Sequence, residues 1–308
     1  MRNTFVKGLI ELLNSEKRNG KLNTYLLTGD LGFNAFEPIR DMYPKHIINA
    51  GIAEQNMVGV SGGMAMLRKN VFVYSIIPFI LYRAFEQIRN DVCYPNLPVR
   101  FVGMGASMSY ANAGATHHPL EDLKVADSLP NMTILSPSDP KEVEIFMQLM
   151  NSIKGPVYMR LSRNGDPLVH EKHDLIRIGK ALKLVEGNEV LIVACGIVTK
   201  TALEVANKFN HKKNKTVEVL EIHTFKPFDY GSIAKSATGK KLVISIEDNT
   251  GALYEKVAVA IGGAEKQKVM SFKVPDEFTH MSGTREHLFD SYGITTAEIC
   301  KRIQKVIE

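Results

Sequence analysis

One carboxylate, Glu54, stands near the start of the run 49-NAGIAEQNMVGVSGGMAM-66, which is otherwise mostly small and apolar. An acid packed among such neighbours has its charged form disfavoured, so its pKa is expected to rise and it can share a proton with a base. The plainer alternative is a first-turn acid favoured by the positive end of a helix. Gly59, Gly62 and Gly63 follow. Each is unfavourable in a helix by up to ~1 kcal/mol against alanine, so this helix must approach something closely, a subunit interface being one reading. Asp30 in 28-TGDLG-32, the pair His117 and His118 in 113-AGATHHPLEDL-123, and Arg163 in 160-RLSRN-164 add groups able to move protons or bind an anion. Phe79 and Tyr82 add two aromatic faces three residues apart. Taken singly, each has an ordinary structural explanation: a turn-forming acid, a loop imidazole bonded to backbone, a surface arginine, two core aromatics.

The elements that must position these residues alternate along the chain. Apolar residues at helical spacing in 4-TFVKGLIELLNSE-16 lead into a buried strand at 24–32, and strands at 46–51, 71–77, 99–105 and 156–162 alternate with helical patterns at 54–68 and 79–93. A further helix starts in 136-SPSDPKEVEIFMQLM-150, where Asp139 can cap, Pro140 suits the first helical position and Glu142 has capping-box spacing. After a polar linker at 163–174, strands at 189–196, 217–222 and 241–248 alternate with helices at 199–210, 251–263 and 295–308. Such alternation predicts parallel sheets covered on both faces, hence two three-layer α/β/α domains. Ligands of open parallel sheets gather at the carboxyl ends of strands, which is where Asp30, the 105–118 loop and Arg163 fall.

Length and composition agree with this picture. The 308 residues are 44% hydrophobic and 23% charged, as expected of a globular chain with two cores. No apolar run reaches the ~18 residues of a spanning helix, and the N-terminus MRNTFVKGLIELLNSEKRNG lacks a signal-peptide pattern, so the expected location is cytoplasmic. Cys93, Cys195 and Cys300 are far apart and in apolar settings, which predicts buried thiols rather than disulfides or a metal site. The net charge of +5 is scattered or held in short polar runs such as 211-HKKNK-215, read as solvated loops. It therefore gives no nucleic-acid face but suits an anionic small substrate.

The stretch 51-GIAEQNMVGVSGGMA-65 resembles the pyrimidine-binding domain of transketolases, and the resemblance continues in family order through 79-FILYRAFEQIRNDV-92, 113-AGATHHPLEDLKVADSLPNMTILSPSDPKEV-143 and 156-PVYMRLSRNGDP-167. The second half, through 222-IHTFKPFD-229 and 244-ISIEDNTGALYEKVAVAI-261, is similar to the transketolase C-terminal domain. The resemblance implies a pyrimidine-binding domain over 1–170 and a C-terminal domain over 178–308. It also implies thiamine diphosphate as cofactor, with Glu54 bonded to N1′ of the aminopyrimidine and governing proton traffic to C2 of the thiazolium. By the same similarity Phe79 stacks on the pyrimidine, Tyr82 forms a second wall and Asp30 lies close to the cofactor. His117 contacts the sugar hydroxyls and takes part in proton transfer, and Arg163 grips the substrate phosphate. In place of a further family aromatic stands the aliphatic Ile76.

Two departures qualify the resemblance. Where the family has an acid four residues before the substrate histidine, this chain has Ala113, and a second phosphate-binding histidine has no counterpart in 103-GMGASMSYANAG-114. Recognition of the sugar is therefore expected to be altered. The Gly-Asp-Gly motif that holds Mg²⁺ and the cofactor diphosphate is missing too. The expectation is the C-terminal half of a split transketolase, active only with an N-terminal subunit that supplies the Mg²⁺ ligands, as an α₂β₂ heterotetramer with no nucleic acid or membrane partner. Deoxyxylulose-phosphate synthase-like chemistry, a 2-oxoacid dehydrogenase β-type subunit and a non-catalytic partner remain as alternatives.

Overall fold

The computed structural model describes residues 1–163, 165–170, 176–210, 216–262 and 268–307. The polar run 211–215, together with Asn164 and residues 171–174 of the expected linker, lies outside the described residues. The first half runs α1 (Arg2–Arg18), β1 (Thr24–Thr28), α2 (Glu37–Met42), β2 (Ile47–Asn49), α3 (Glu54–Met66), β3 (Asn70–Ile76), α4 (Phe85–Gln87), β4 (Val99–Met104), α5 (Asp122–Asp127), β5 (Thr133–Leu135), α6 (Pro140–Leu149) and β6 (Val157–Leu161). The second contains β7 (Leu182–Val185), β8 (Val190–Cys195), α7 (Thr199–Phe209), β9 (Val217–Glu221), β10 (Thr224–Lys226), α8 (Tyr230–Ala237), β11 (Leu242–Glu247), α9 (Ala252–Ile261), β12 (Lys268–Phe272), α10 (Arg285–Ser291) and α11 (Thr296–Ile307).

A seven-stranded sheet has the order β10-β5-β6-β4-β3-β1-β2, parallel except for β10, and a five-stranded sheet has the order β12-β11-β8-β9-β7, parallel except for β7. The two mostly parallel α/β units expected from the alternation are therefore present. Strand residues alternate between faces as the pleat demands. Phe72, Tyr74, Val102 and Met104 pack with Phe5 and Leu9 of α1 and Phe146 of α6. Val71, Val73 and Phe101 pack with Met57 and Val58 of α3. In the second sheet Val190 and Ile192 share a core with Val205 and Ile303, while Leu191 and Val193 share one with Ile233 and Val257. No helix among the described residues is long and apolar enough to cross a membrane. Cys93 and Cys195 are buried thiols and Cys300 is half-buried, with no disulfide among them.

The halves are tied by backbone and by buried charge. After β9 the chain leaves the second sheet, and β10 pairs antiparallel with β5 of the first. Arg160 on β6, almost fully buried, donates through Nε to Asp122 and through Nη1 to Asp248 of the second half, both at 2.9 Å. Burial opposes its charge, but the two carboxylates outweigh that and hold the guanidinium protonated well above its ordinary range. Tyr158 and Asn249 also donate to Asp122, at 2.7 and 2.8 Å. A second buried group joins Asp139, Glu142, His170 and Glu221, with His170 3.0 Å from Glu221 and 3.2 Å from Asp139.

Two local readings are refined. Asp139 caps α6 through the Glu142 amide at 3.0 Å, but the Glu142 carboxylate returns to the Ser138 amide at 2.7 Å, one residue earlier than a reciprocal box requires. The expected helix at 79–93 contains two π-helical turns, Pro78–Tyr82 and Ile88–Cys93, flanking α4. Residues 79 and 82 therefore do not share a face as they would on an α-helix, and π turns of this kind recur at functional sites.

Candidate active site

Every residue of the candidate site follows the carboxyl end of a parallel strand of the first sheet: Asp30 after β1, Glu54 after β2, Phe79 after β3, the 105–118 loop after β4 and Arg163 after β6. Glu54 opens α3, whose free backbone amides favour an anion, and it is only 1% exposed. Both readings of this residue thus describe the same position, a first-turn acid that is also buried. It is not isolated in apolar packing, however. Arg83 donates from Nη1 to Glu54 Oε2 at 2.6 Å, and its guanidinium carbon lies 4.9 Å from the centre of the Phe79 ring.

From Phe79 the contacts continue. The His117 ring stands edge-on to Phe79 at 5.3 Å, and Tyr110 lies 5.7 Å beyond His117. Arg163 then stacks on Tyr110 with its guanidinium carbon 4.7 Å from the ring centre. Glu54, Phe79, His117 and Arg163 are therefore linked through Arg83 and Tyr110 into one continuous row. His117 shares a 2.9 Å hydrogen bond between Nδ1 and the Thr116 hydroxyl. His118 is buried instead, 3.1 Å from the Tyr110 carbonyl, and burial pushes its pKa down. The two neighbouring histidines thus face different surroundings.

Tyr82 and Asp30 stand to the side of this row. The Tyr82 hydroxyl donates to Glu121 at 3.1 Å, and burial, reinforced by Asp122 and Glu121, raises its pKa. Asp30 is exposed with φ 55° and is held by Asn49, whose side chain accepts from the Asp30 amide at 2.9 Å and donates to its carboxylate at 3.1 Å. Its neighbour Gly29 borders the glutamate: a Cβ there would lie 3.7 Å from Glu54 Oε1 and 3.2 Å from the Gly51 carbonyl. A side chain at that point would crowd whatever the glutamate meets.

The glycines of α3 divide by contact. A Cβ on Gly62 would come within 2.9 Å of the Asp91 carbonyl, so its close approach is to the neighbouring π-helical segment of the same chain. Gly63 is exposed with nothing within 4 Å and has Val60 and Met66, both exposed, for neighbours on the same helix.

Arg83, Tyr110 and Asn49 were not singled out by sequence reasoning. Asn49 had a signal in its place at a strand tip, and Arg83 in its place four residues after Phe79, whereas Tyr110 joins the site only through the fold of its loop. Among the described residues one group has metal-ligand spacing, Glu142, His170 and Glu221 at the domain junction, and none of the three belongs to the row at Glu54.

A buried glutamate, an aromatic ring and an imidazole thus stand at the strand ends of one α/β domain, with a second α/β domain attached. Residues 18–165 match the family model described as "Transketolase, pyrimidine binding domain", and residues 179–299 match "Transketolase, C-terminal domain". The chain is 33% identical to a putative transketolase C-terminal section of Methanocaldococcus jannaschii, an alignment that covers 99% of this chain and 95% of the relative. It is 29% identical to a 6-deoxy-6-sulfo-D-fructose transketolase subunit of a Clostridium species, over 100% of this chain and 94% of the relative. A split gene transketolase, solved as an inactive β4 tetramer, superposes with a TM-score of 0.84 at 30% identity, covering 99% of this chain and 97% of the other. The chain belongs to the transketolase family and is similar along its whole length to subunits of split transketolases.

Proposed function

We propose that this chain is the C-terminal subunit of a split, thiamine-diphosphate-dependent transketolase that transfers a two-carbon ketol unit from a ketose to an aldehyde acceptor. The observation that carries this reading is Glu54, buried at the first turn of α3 and joined through Arg83 to the aromatic face of Phe79. A buried carboxylate, an aromatic ring whose face is covered by the Arg83 guanidinium, and the side-chain-free Gly29 suit a planar, nitrogen-bearing aromatic such as an aminopyrimidine that takes the place of that guanidinium. When bound, thiamine diphosphate supplies the carbon nucleophile, and the protein supplies position and proton transfer.

In this reading residues 1–170 form the pyrimidine-binding domain and residues 178–308 the C-terminal domain. Glu54 would hydrogen-bond N1′ of the pyrimidine, sharing its carboxyl proton with that nitrogen and so favouring the imino tautomer. Phe79 stacks on the ring, and Arg83 leaves that face to admit it. Tyr82 lines the pocket through its hold on Glu121, and Asp30 borders it through Gly29. His117, with its ring against Phe79, orients the sugar hydroxyls and moves protons beside the reacting carbon. Arg163 holds an anionic group at the far end of the sugar.

The Mg²⁺ ligands and the diphosphate grip belong to a separate N-terminal subunit in an α₂β₂ assembly; the likeness to a transketolase C-terminal section and to split-transketolase subunits supports the existence of such a partner. The exposed side of α3 around Gly63 and Val60 is the face we assign to subunit contact.

Reconstitution with such a partner, thiamine diphosphate and Mg²⁺, followed by assay of a ketose donor and separately of pyruvate, tests the reading. Ketol transfer from the ketose is the expected result. Turnover confined to the 2-oxoacid would overturn the transketolase assignment, and inactivity of a correctly assembled, cofactor-loaded complex toward both would favour a non-catalytic partner.

A further inference from the structure

The loop after β4 carries no charged side chain from Gly103 through Thr116, yet it borders the residue assigned to anion binding. Its one aromatic side chain in that region is Tyr110, half-buried at the centre of three contacts. On one side the ring covers Gly105, a left-handed residue with φ 93°, where a Cβ would fall 2.2 Å from the ring. Any side chain at 105 is therefore excluded while the ring is there. On the second side lies the edge of His117, at 5.7 Å and 62°. On the third is the Arg163 guanidinium, 4.7 Å from the ring centre.

Arg163 is exposed and, among the described residues, forms no ion pair or hydrogen bond; its contact is with this ring. The Tyr110 hydroxyl likewise has no hydrogen bond among the described residues, so the ring face is what it offers. A long side chain left free loses rotamer freedom when it binds, and a cation already stacked on an aromatic face has lost much of that freedom beforehand.

We propose that Tyr110 is the specificity-determining residue of this site. Its ring occupies the corner above Gly105 and fixes Arg163 so that one guanidinium reads a tetrahedral anionic terminus on the sugar, a phosphate monoester or a sulfonate. Tyr110 is a positioning residue: it acts through Arg163 and leaves the reacting carbon to Glu54 and His117. This rests on the functional reading above for its substrate, but the Tyr110–Arg163 contact has its own readout.

Three variants, Tyr110→Leu, Tyr110→Phe and Arg163→Ala, are compared in the reconstituted complex with a phosphorylated, a sulfonated and an uncharged ketose. Tyr110→Leu raises KM for both anionic sugars by about tenfold, the range of a partly desolvated cation–π contact, with kcat little changed and KM for the uncharged sugar unmoved. Tyr110→Phe behaves as wild type because it keeps the ring, and Tyr110→Leu adds little in an Arg163→Ala background. The relative response to phosphate and sulfonate identifies which terminus is natural. Binding of inorganic phosphate to the complex, read by calorimetry, weakens about tenfold in Tyr110→Leu whether or not any sugar turns over. Loss of sugar turnover in wild type with this phosphate effect intact defeats the transketolase reading and leaves the Tyr110 role standing. An equal KM rise for the uncharged sugar, a Tyr110→Phe variant as impaired as Tyr110→Leu, or phosphate binding unchanged in Tyr110→Leu overturns the proposal.

Discussion

Replacing Arg160 by methionine keeps most of the volume of the buried stem and removes its charge. Asp122 and Asp248, both buried, then lose the cation that each meets at 2.9 Å. Removing one partner of a buried, hydrogen-bonded ion pair costs about 3–5 kcal/mol. Asp122 retains its hydrogen bonds from Tyr158 and Asn249, and either carboxylate can take up a proton, so the lower end, about 3 kcal/mol, is the expected loss. At about 2–4 °C per kcal/mol for larger chains, thermal unfolding followed by circular dichroism should move down by about 6–12 °C. The effect should reach the site as well, because Arg163 follows β6 by two residues and the His117 loop runs directly into α5. Adding Asp122→Asn and Asp248→Asn to Arg160→Met should recover part of the loss, since no stranded charge then remains. A shift below about 2 °C in the single variant would refute the view that this network fastens the two halves.

Arg83→Gln should tighten binding of thiamine diphosphate to the reconstituted complex by about three- to tenfold, measured by calorimetry, because the guanidinium on Phe79 no longer has to be displaced. Equal or weaker affinity would show that Arg83 assists the cofactor rather than standing in its place. His170 titrates against the direction of its burial: burial alone would lower its pKa, but Asp139 and Glu221 outweigh it and push it up to about 11. Its stabilising contribution is therefore complete below the unfolded value of 6.5 and declines as pH rises from there through about 11. The unfolding free energy from urea titrations should fall over that interval, with a slope of at most about 1.4 kcal/mol per pH unit for one proton, and His170→Leu should flatten that part of the profile. A variant profile that parallels wild type would remove His170 from the account of stability.

Most of the fold was legible because strongly apolar strands such as 99-VRFVGM-104 and 189-EVLIVAC-195 announce themselves, and the helical patterns between them fix the parallel order. The strands that escaped notice are short or weakly apolar. The three-residue β5 and β10 show only through their pairing, β10 with β5 and β5 with β6, and β7 and β12 are edge strands only partly buried. At the site, the position of Glu54 at a helix start among small apolar residues was legible, and the fold adds that this first-turn acid is buried. The placement of Phe79 beside His117 required the fold, which brings two loops 38 residues apart to adjacent strand ends. Tyr110 carried no signal at all: it sits in a loop of small, uncharged residues, and only the fold shows its ring over Gly105 and against Arg163. The π turns were equally hidden, because the apolar pattern of 79–93 signals a helix without specifying its turn type.

The role of Glu54 is open to one direct measurement. Glu54→Gln keeps the shape and a hydrogen-bonding oxygen but removes the carboxylate that holds the proton. In the reconstituted complex, with assembly confirmed by size-exclusion chromatography, ketol transfer should fall by about 100-fold or more while the subunits still associate. Turnover within about threefold of wild type in that assembled variant would contradict it.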